Sequence, residues 1–221
     1  MSTPSPERAA GSQLAAISVR ELNDRLSSSA PVPGGGSAAA LAGAMGASLV
    51  AMVANLTVGR PEYHEAEPMA TEIGRAATEL RDRLLELAQR DSDAYDQVVR
   101  ARRLPKASEE DRQRRAAAMA DSFVLAASVP LETARTAQQV LTLASQIAPI
   151  GNRNAASDAG MAAQLASAAV RGAILNVRIN LPYLPPEASI ALDAPSELER
   201  LQQSAIAIEA EALASATSRL G

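Results

Sequence analysis

The chain alternates runs of helical periodicity with short polar or proline-containing breaks, and no stretch alternates apolar and polar residues as a half-buried strand does. Ser18-Val-Arg-Glu21 has the form of a capping box and predicts a first helix ending near Ser28. A second helix runs from the glycines after Pro33 to about Thr57, where Gly59-Arg-Pro61 breaks it. Ile73, Ala77, Leu80, Leu84 and Leu87 recur in steps of four and three, which predicts a long helical region to Arg103 with Pro68 as a point of interruption. Ser108-Glu-Glu-Asp111 caps the next helix, which Pro130 is expected to kink or divide before it stops around Pro149-Ile-Gly151. Asn152 to Asp158 reads as a loop entering a helix from about Ser157 to Asn180. A last helix is expected after Pro195 and Ser196, with Leu198, Leu201, Ala205, Ile208 and Ala212 on one face. The pattern predicts an all-α, single-domain bundle of about six to seven helices around a long, uncharged, Ala/Gly-rich central helix. The domain is expected to span 15–221, behind a disordered tail at 1–14.

Composition narrows the chemistry. At 221 residues the chain can build one sizeable core. Aromatic residues are only 2% of it, with no tryptophan and one phenylalanine, so Ala, Leu, Val, Ile and Met must fill that core, which suits closely packed helices and not a β-sandwich. A net charge of −4 and scattered arginines offer nothing for a phosphate backbone, so nucleic acid is not an expected partner. The absence of cysteine and the single histidine, His64, exclude disulfides, thiolate nucleophiles and multi-histidine centres, and neither a metal nor a cofactor is expected. The Ser/Pro-rich start, Met1 to Gly11, lacks the pattern of a secretory signal, which points to the cytoplasm. The uncharged stretch from Pro31 to Gly59 is long enough to cross a bilayer, but its Ala/Gly/Ser composition and missing aromatic belt favour a buried central helix, with no membrane as partner.

Candidate chemistry begins at Pro31-Val-Pro-Gly-Gly-Gly-Ser37. Glycines with free N–H groups at a helix start form either a flexible entrance or a cradle for a carboxylate or polarised carbonyl. They match neither a Walker loop nor a dinucleotide fingerprint. Asp91 continues the apolar seam of the third helix, where burial would raise its pKa and fit it for general acid or base work; a bend after Arg90 would instead expose it beside Asp93 and Asp96. Asp158 falls in the first turn of its helix, where a capping role is the default. Asn176 shares its face but lies about 27 Å further on, so the two do not form one site within a subunit. Asn176 and Asn180 sit among apolar residues and need internal partners or a polar cavity. Lys106 is the only lysine, and His64, among three glutamates, reads as a solvated helix-start residue.

Five segments, taken together, resemble the cyclodeaminase/cyclohydrolase family, which joins formiminotetrahydrofolate cyclodeaminase domains and stand-alone methenyltetrahydrofolate cyclohydrolases. They are Pro33-Gly-Gly-Gly-Ser37, Met52-Val-Ala-Asn-Leu-Thr57, Asp91-Ser-Asp-Ala-Tyr95 with Leu104-Pro-Lys106, Gly151-Asn-Arg-Asn-Ala-Ala-Ser-Asp158 and Asn176-Val-Arg-Ile-Asn180. The resemblance covers roughly Val19 to Leu213 and implies an all-α homodimer acting on a tetrahydrofolate that carries a one-carbon unit. It implies catalytic roles for Asp91 and Asp158. It implies substrate contacts from Gly34, Gly35, Gly36, Ser37, Lys106, Asn152, Asn154, Asn176 and Asn180, with the folate as substrate and no further cofactor. Where the family tends to carry lysine before a tyrosine after the second helix, this chain has Arg60-Pro61-Glu62-Tyr63, which changes how a polyglutamate tail is held. With no formiminotransferase module in the chain, cyclohydrolase is the expected activity; cyclodeaminase and a non-catalytic folate-binding or interaction protein are the alternatives.

Overall fold

Side-chain caps set where two of the long helices begin. In the computed structural model, which describes residues 14–220, the long elements are α1 (Val19–Leu26), α2 (Gly35–Thr57), α3 (Glu67–Arg102), α4 (Glu109–Ile147), α5 (Ala156–Asn180) and α6 (Ser189–Ser218). Ser18 Oγ accepts the Glu21 N–H at 3.1 Å to open α1, while the Glu21 carboxylate turns to Arg25 at 2.6 Å. Ser108 and Asp111 form the reciprocal capping box that opens α4.

Prolines interrupt less than the sequence predicts. Pro68 falls in the first turn of α3, where its missing N–H has no partner to lose, so α3 is continuous. Pro130 lies mid-helix and buried, flanked by buried Ala127, Val129, Leu131 and Ala134, and packing on both sides outweighs the one lost hydrogen bond. The same holds for Pro195 between buried Ala194 and Leu198, so α6 starts at Ser189 and not after Pro195. The expected tail lies outside the described residues except for Leu14, which is 6% exposed and donates its N–H to Gln89 Oε1 at 3.1 Å.

Helix α2 runs antiparallel to both α3 and α5. Gly36 lies against Asp91 and Gly43 against Leu84 on one side, while Gly35 faces Asn176 and Gly43 meets Ala169 on the other. Helix α4 packs on α3 and α5 as well, tied by Glu132 to Arg83 and Arg90 and by the Asn180 amide donating to the Ala126 carbonyl at 2.9 Å. Helix α6 closes the bundle over α4 and α5, where Arg135 grips Glu197 through two bonds of 2.6 Å. Alanine dominates the core, which lets the axes approach closely.

The central helix is not enclosed all round. Among the described residues α2 is the one helix long and apolar enough to cross a membrane, and 61% of its most apolar stretch is buried inside the bundle. Its remaining face exposes Met45 and Met52, and Leu175 and Ile179 are exposed on α5. At one end of the bundle the start of α2, the second half of α3, the first half of α4 and the end of α5 converge.

Close approach of α2 to α5 depends on Gly46, where a Cβ would stand 3.0 Å from the Ala162 carbonyl oxygen and 3.3 Å from the Ala166 nitrogen. Neither backbone atom can swing away. Gly46→Val should therefore force the helices apart and lower stability by roughly 1–3 kcal/mol. Urea or thermal denaturation with an unchanged midpoint would refute this packing account.

Candidate active site

The loop Pro31 to Gly34 delivers the chain to α2 with Gly34 as a cap that has no side chain to satisfy the first-turn N–H groups. That opening is met from across the bundle by Asp91. A Cβ built at Gly36 would lie only 2.1 Å from Asp91 Oδ1 and 2.5 Å from its Cγ, so the carboxylate occupies the space a side chain would need. Ser37, fully buried, has its Oγ 3.0 Å from Asp91 Oδ2, 2.8 Å from the Ala88 carbonyl oxygen and 3.1 Å from Ser92 Oγ. Its single proton serves one acceptor at a time: the carboxylate when Asp91 is ionised, or Ala88 when Asp91 is protonated and itself donates.

Burial pushes the Asp91 carboxyl above the ordinary carboxylate range, against the opposing pull of hydrogen bonds from the Ser37 hydroxyl and backbone N–H. Desolvation prevails, and the group is poised closer to neutrality than a surface aspartate. Asp91 thus sits on the inward seam that α3's spacing predicts, next to buried Leu87, Ala88 and Ala94.

A cavity of about 330 Å³ opens in front of it. Gly34, Gly35 and Gly36 form one wall, and Asn176 and Asn180 of α5 another. The Asn176 amide N–H donates to the Gly172 carbonyl at 2.9 Å; Asn180 donates to the Ala126 and Asn176 carbonyls at 2.9 and 2.8 Å. Both side-chain oxygens remain as acceptors. The rest of the lining includes Tyr95, Val98 and Arg102 of α3, Phe123 of α4, and Tyr183 after α5, none of which sequence reasoning singled out as site residues. A signal was present. The chain has three tyrosines, one phenylalanine and no tryptophan, and all of these but Tyr63 line this cavity.

The other candidates lie elsewhere. Asn152 is buried near the far end of α2, donating to the Leu56 carbonyl at 2.8 Å and accepting from the Asn154 N–H at 3.0 Å. That is about 30 Å along α2 from Ser37. Asp158 stands in the first turn of α5 at the same far end, one turn beyond Asn154, and neither lines the cavity. Lys106 is exposed in the α3–α4 turn, also outside the lining. Tyr63 accepts the Arg153 N–H at 3.0 Å, which places the departing Arg60–Tyr63 segment at that far end as well, and His64 is exposed beside it. Among the described residues no cluster of acidic or histidine side chains is placed to hold a metal ion.

The chain is similar to proteins of one family over most of its length. Residues 18–199 match the family described as Formiminotransferase-cyclodeaminase. A methenyltetrahydrofolate cyclohydrolase of Methylorubrum extorquens is 43% identical over 178 residues, covering 80% of this chain and 85% of that one. The formimidoyltransferase-cyclodeaminase of Sus scrofa is 34% identical over 170 residues, 77% of this chain but only 31% of the much longer relative. The crystal structure of a formiminotetrahydrofolate cyclodeaminase from Thermotoga maritima superposes with a TM-score of 0.81 at 29% identity, over 93% of this chain and 98% of that one. On the extent of these matches, the chain belongs to the formiminotransferase-cyclodeaminase family.

Proposed function

We propose that this protein hydrolyses 5,10-methenyltetrahydrofolate to 10-formyltetrahydrofolate, with Asp91 as the group that moves protons. The observation that carries the reading is a carboxylate held on the first turn of α2, raised in pKa by burial, at the floor of an aromatic-walled cavity. The 43% identity to a cyclohydrolase over most of both chains supports the same choice. Because Asp91 already fills the Gly36 turn, a substrate carboxylate there would meet like charge, and the glycine wall is suited to a pterin oxygen instead.

The steps balance simply. Asp91 takes a proton from water as oxygen bonds to the cationic methenyl carbon, giving a neutral tetrahedral adduct. The bond from that carbon to N5 then breaks, N5 receives the proton from Asp91, and the adduct's hydroxyl proton leaves as the formyl C=O forms on N10. Overall one water is consumed and one proton released. Asn176 and Asn180 line the cavity, and their amide oxygens are the neutral acceptors available to stabilise the delocalised cation. Formiminotetrahydrofolate cyclodeamination is the second reading, favoured by the likeness to the Thermotoga maritima structure, and the same carboxylate would then assist ammonia loss.

A homodimer fits this reading. Met45 and Met52 of α2 and Leu175 and Ile179 of α5 are exposed apolar residues, and Ile179 also lines the cavity. A two-fold axis perpendicular to α2 would bring the partner's Asp158 end toward this cavity. A cytoplasmic location goes with charged, water-soluble substrate and product.

Decay of the near-ultraviolet absorbance of 5,10-methenyltetrahydrofolate should be accelerated by the protein; ammonia release from 5-formiminotetrahydrofolate alone would select the second reading. Asp91→Asn should lower kcat by about 10²- to 10⁴-fold. Gly36→Ala should do likewise by displacing the carboxylate, and retention of full activity in either would remove Asp91 from the mechanism. The raised carboxyl binds a proton in the folded state at pH values where the unfolded chain has lost it, so this group's contribution to stability falls as pH rises from its ordinary range through its raised value. Asp91→Asn should consequently keep or raise the thermal midpoint at neutral pH. Since a bound cation favours ionised Asp91, the acid limb of kcat/KM should titrate above that of kcat; coincident limbs would contradict the assignment.

A further inference from the structure

We infer that Arg102, backed by the Phe123–Tyr183 pair, is the residue that binds the glutamate carboxylate of the substrate and so sets the preference for glutamate-bearing folates. The inference rests on the folate reading above and adds the direction in which the substrate lies.

Asp91, Tyr95, Val98 and Arg102 follow one another along α3 in steps of four, three and four, and all line the cavity. At 1.5 Å per residue they make a trough about 16 Å long, with an anion at one end and a cation at the other. A methenyl folate has the opposite polarity: its delocalised cation is at the pterin end and its carboxylates are on the glutamate, with a flat aminobenzoyl ring between. The Phe123 and Tyr183 rings are stacked at 4.7 Å with planes 16° apart, and the Arg102 guanidinium lies 5.8 Å from the Phe123 centroid. The guanidinium lies near the Phe123 ring with its N–H fork free, since Arg102 forms no ion pair among the described residues. Tyr95 and Tyr183, partly exposed, supply ring faces for the aminobenzoyl group. The glycine end is closed to a carboxylate by Asp91, and Lys106 does not reach the lining. Arg102 is therefore the cation the cavity offers a glutamate, in a fork that matches a carboxylate through two bonds.

The test uses binding as well as turnover. Wild-type protein titrated with p-aminobenzoyl-L-glutamate and with the uncharged 4-aminobenzamide should prefer the former roughly 10- to 100-fold. Arg102→Gln should abolish that preference, Arg102→Lys should keep part of it, and Arg100→Gln, on the outward side of the same turn, should leave it intact. In turnover, Arg102→Gln should raise KM for 5,10-methenyltetrahydrofolate by the same factor with kcat within about threefold, and leave KM for 5,10-methenyltetrahydropteroate, which lacks glutamate, unchanged. Equal preference for the two probes in the wild type, or an equal rise in KM for both substrates in Arg102→Gln, overturns the assignment. If Arg102→Gln does not fold, the wild-type preference and the Arg102→Lys variant decide it. A wild type that prefers the glutamate conjugate yet does not hydrolyse the methenyl compound upholds the subsite and sinks the proposed reaction instead.

Discussion

The contact between the Asp91 carboxylate and the first turn of α2 is the constraint around which the rest is arranged. It requires a residue without a side chain at position 36, a hydroxyl at position 37 small enough to be buried, and an α2–α3 register that places Ala88 and Ser92 around that hydroxyl. The helix start contributes N–H donors and a favourable dipole, both of which pull the carboxyl down. Burial pushes it up by more. A carboxyl held in this balance opposes folding at neutral pH and is retained at the mouth of a cavity, the usual sign that a local rule has been broken for function.

The alanine-rich core is what makes that balance possible. With so few large side chains, α2 can lie close to α3 and α5, and the backbone of its first turn comes within hydrogen-bond reach of a side chain on the facing helix. The scarce aromatics are then free for the cavity. Phe123, Tyr95 and Tyr183 contribute little to the main core; Phe123 belongs to a small separate cluster with Val98 and Leu184 and stacks on the exposed Tyr183. Ring faces in an aliphatic protein are thereby concentrated where a flat ligand would lie.

Much of this was legible in the sequence because it follows from short-range rules. The helix periods, the Ser108 box and the place of Asp91 on the α3 seam are local or single-helix properties, and all appear in the structure. The cavity's far wall was not legible, because Arg102, Phe123 and Tyr183 come from three elements whose meeting depends on tertiary register. The prolines misled for a similar reason: Pro130 and Pro195 break helices in isolation, but buried neighbours on both sides hold α4 and α6 together. Motifs adjacent in the family pattern also fall at opposite ends of a rigid helix, so Asn152, Asn154 and Asp158 share a bundle with Asp91 without sharing its cavity.

Charge links binding to turnover in the reaction proposed for this site. A cation arriving beside a half-buried carboxyl lowers its pKa, so the substrate itself favours the ionised base that attacking water needs. The tetrahedral adduct and the formyl product carry no cation, and the attraction that drew the substrate to Asp91 is lost as soon as the carbon–oxygen bond forms. Ser37 can then donate its hydrogen bond to the Ala88 carbonyl while Asp91 holds a proton, so the protonated intermediate leaves no buried group unpaired. The interaction that distinguishes substrate from product is thus the same one that performs the chemistry. Such a site discriminates by charge at the reacting carbon and needs a second anchor, remote from Asp91, to hold substrate and product in register.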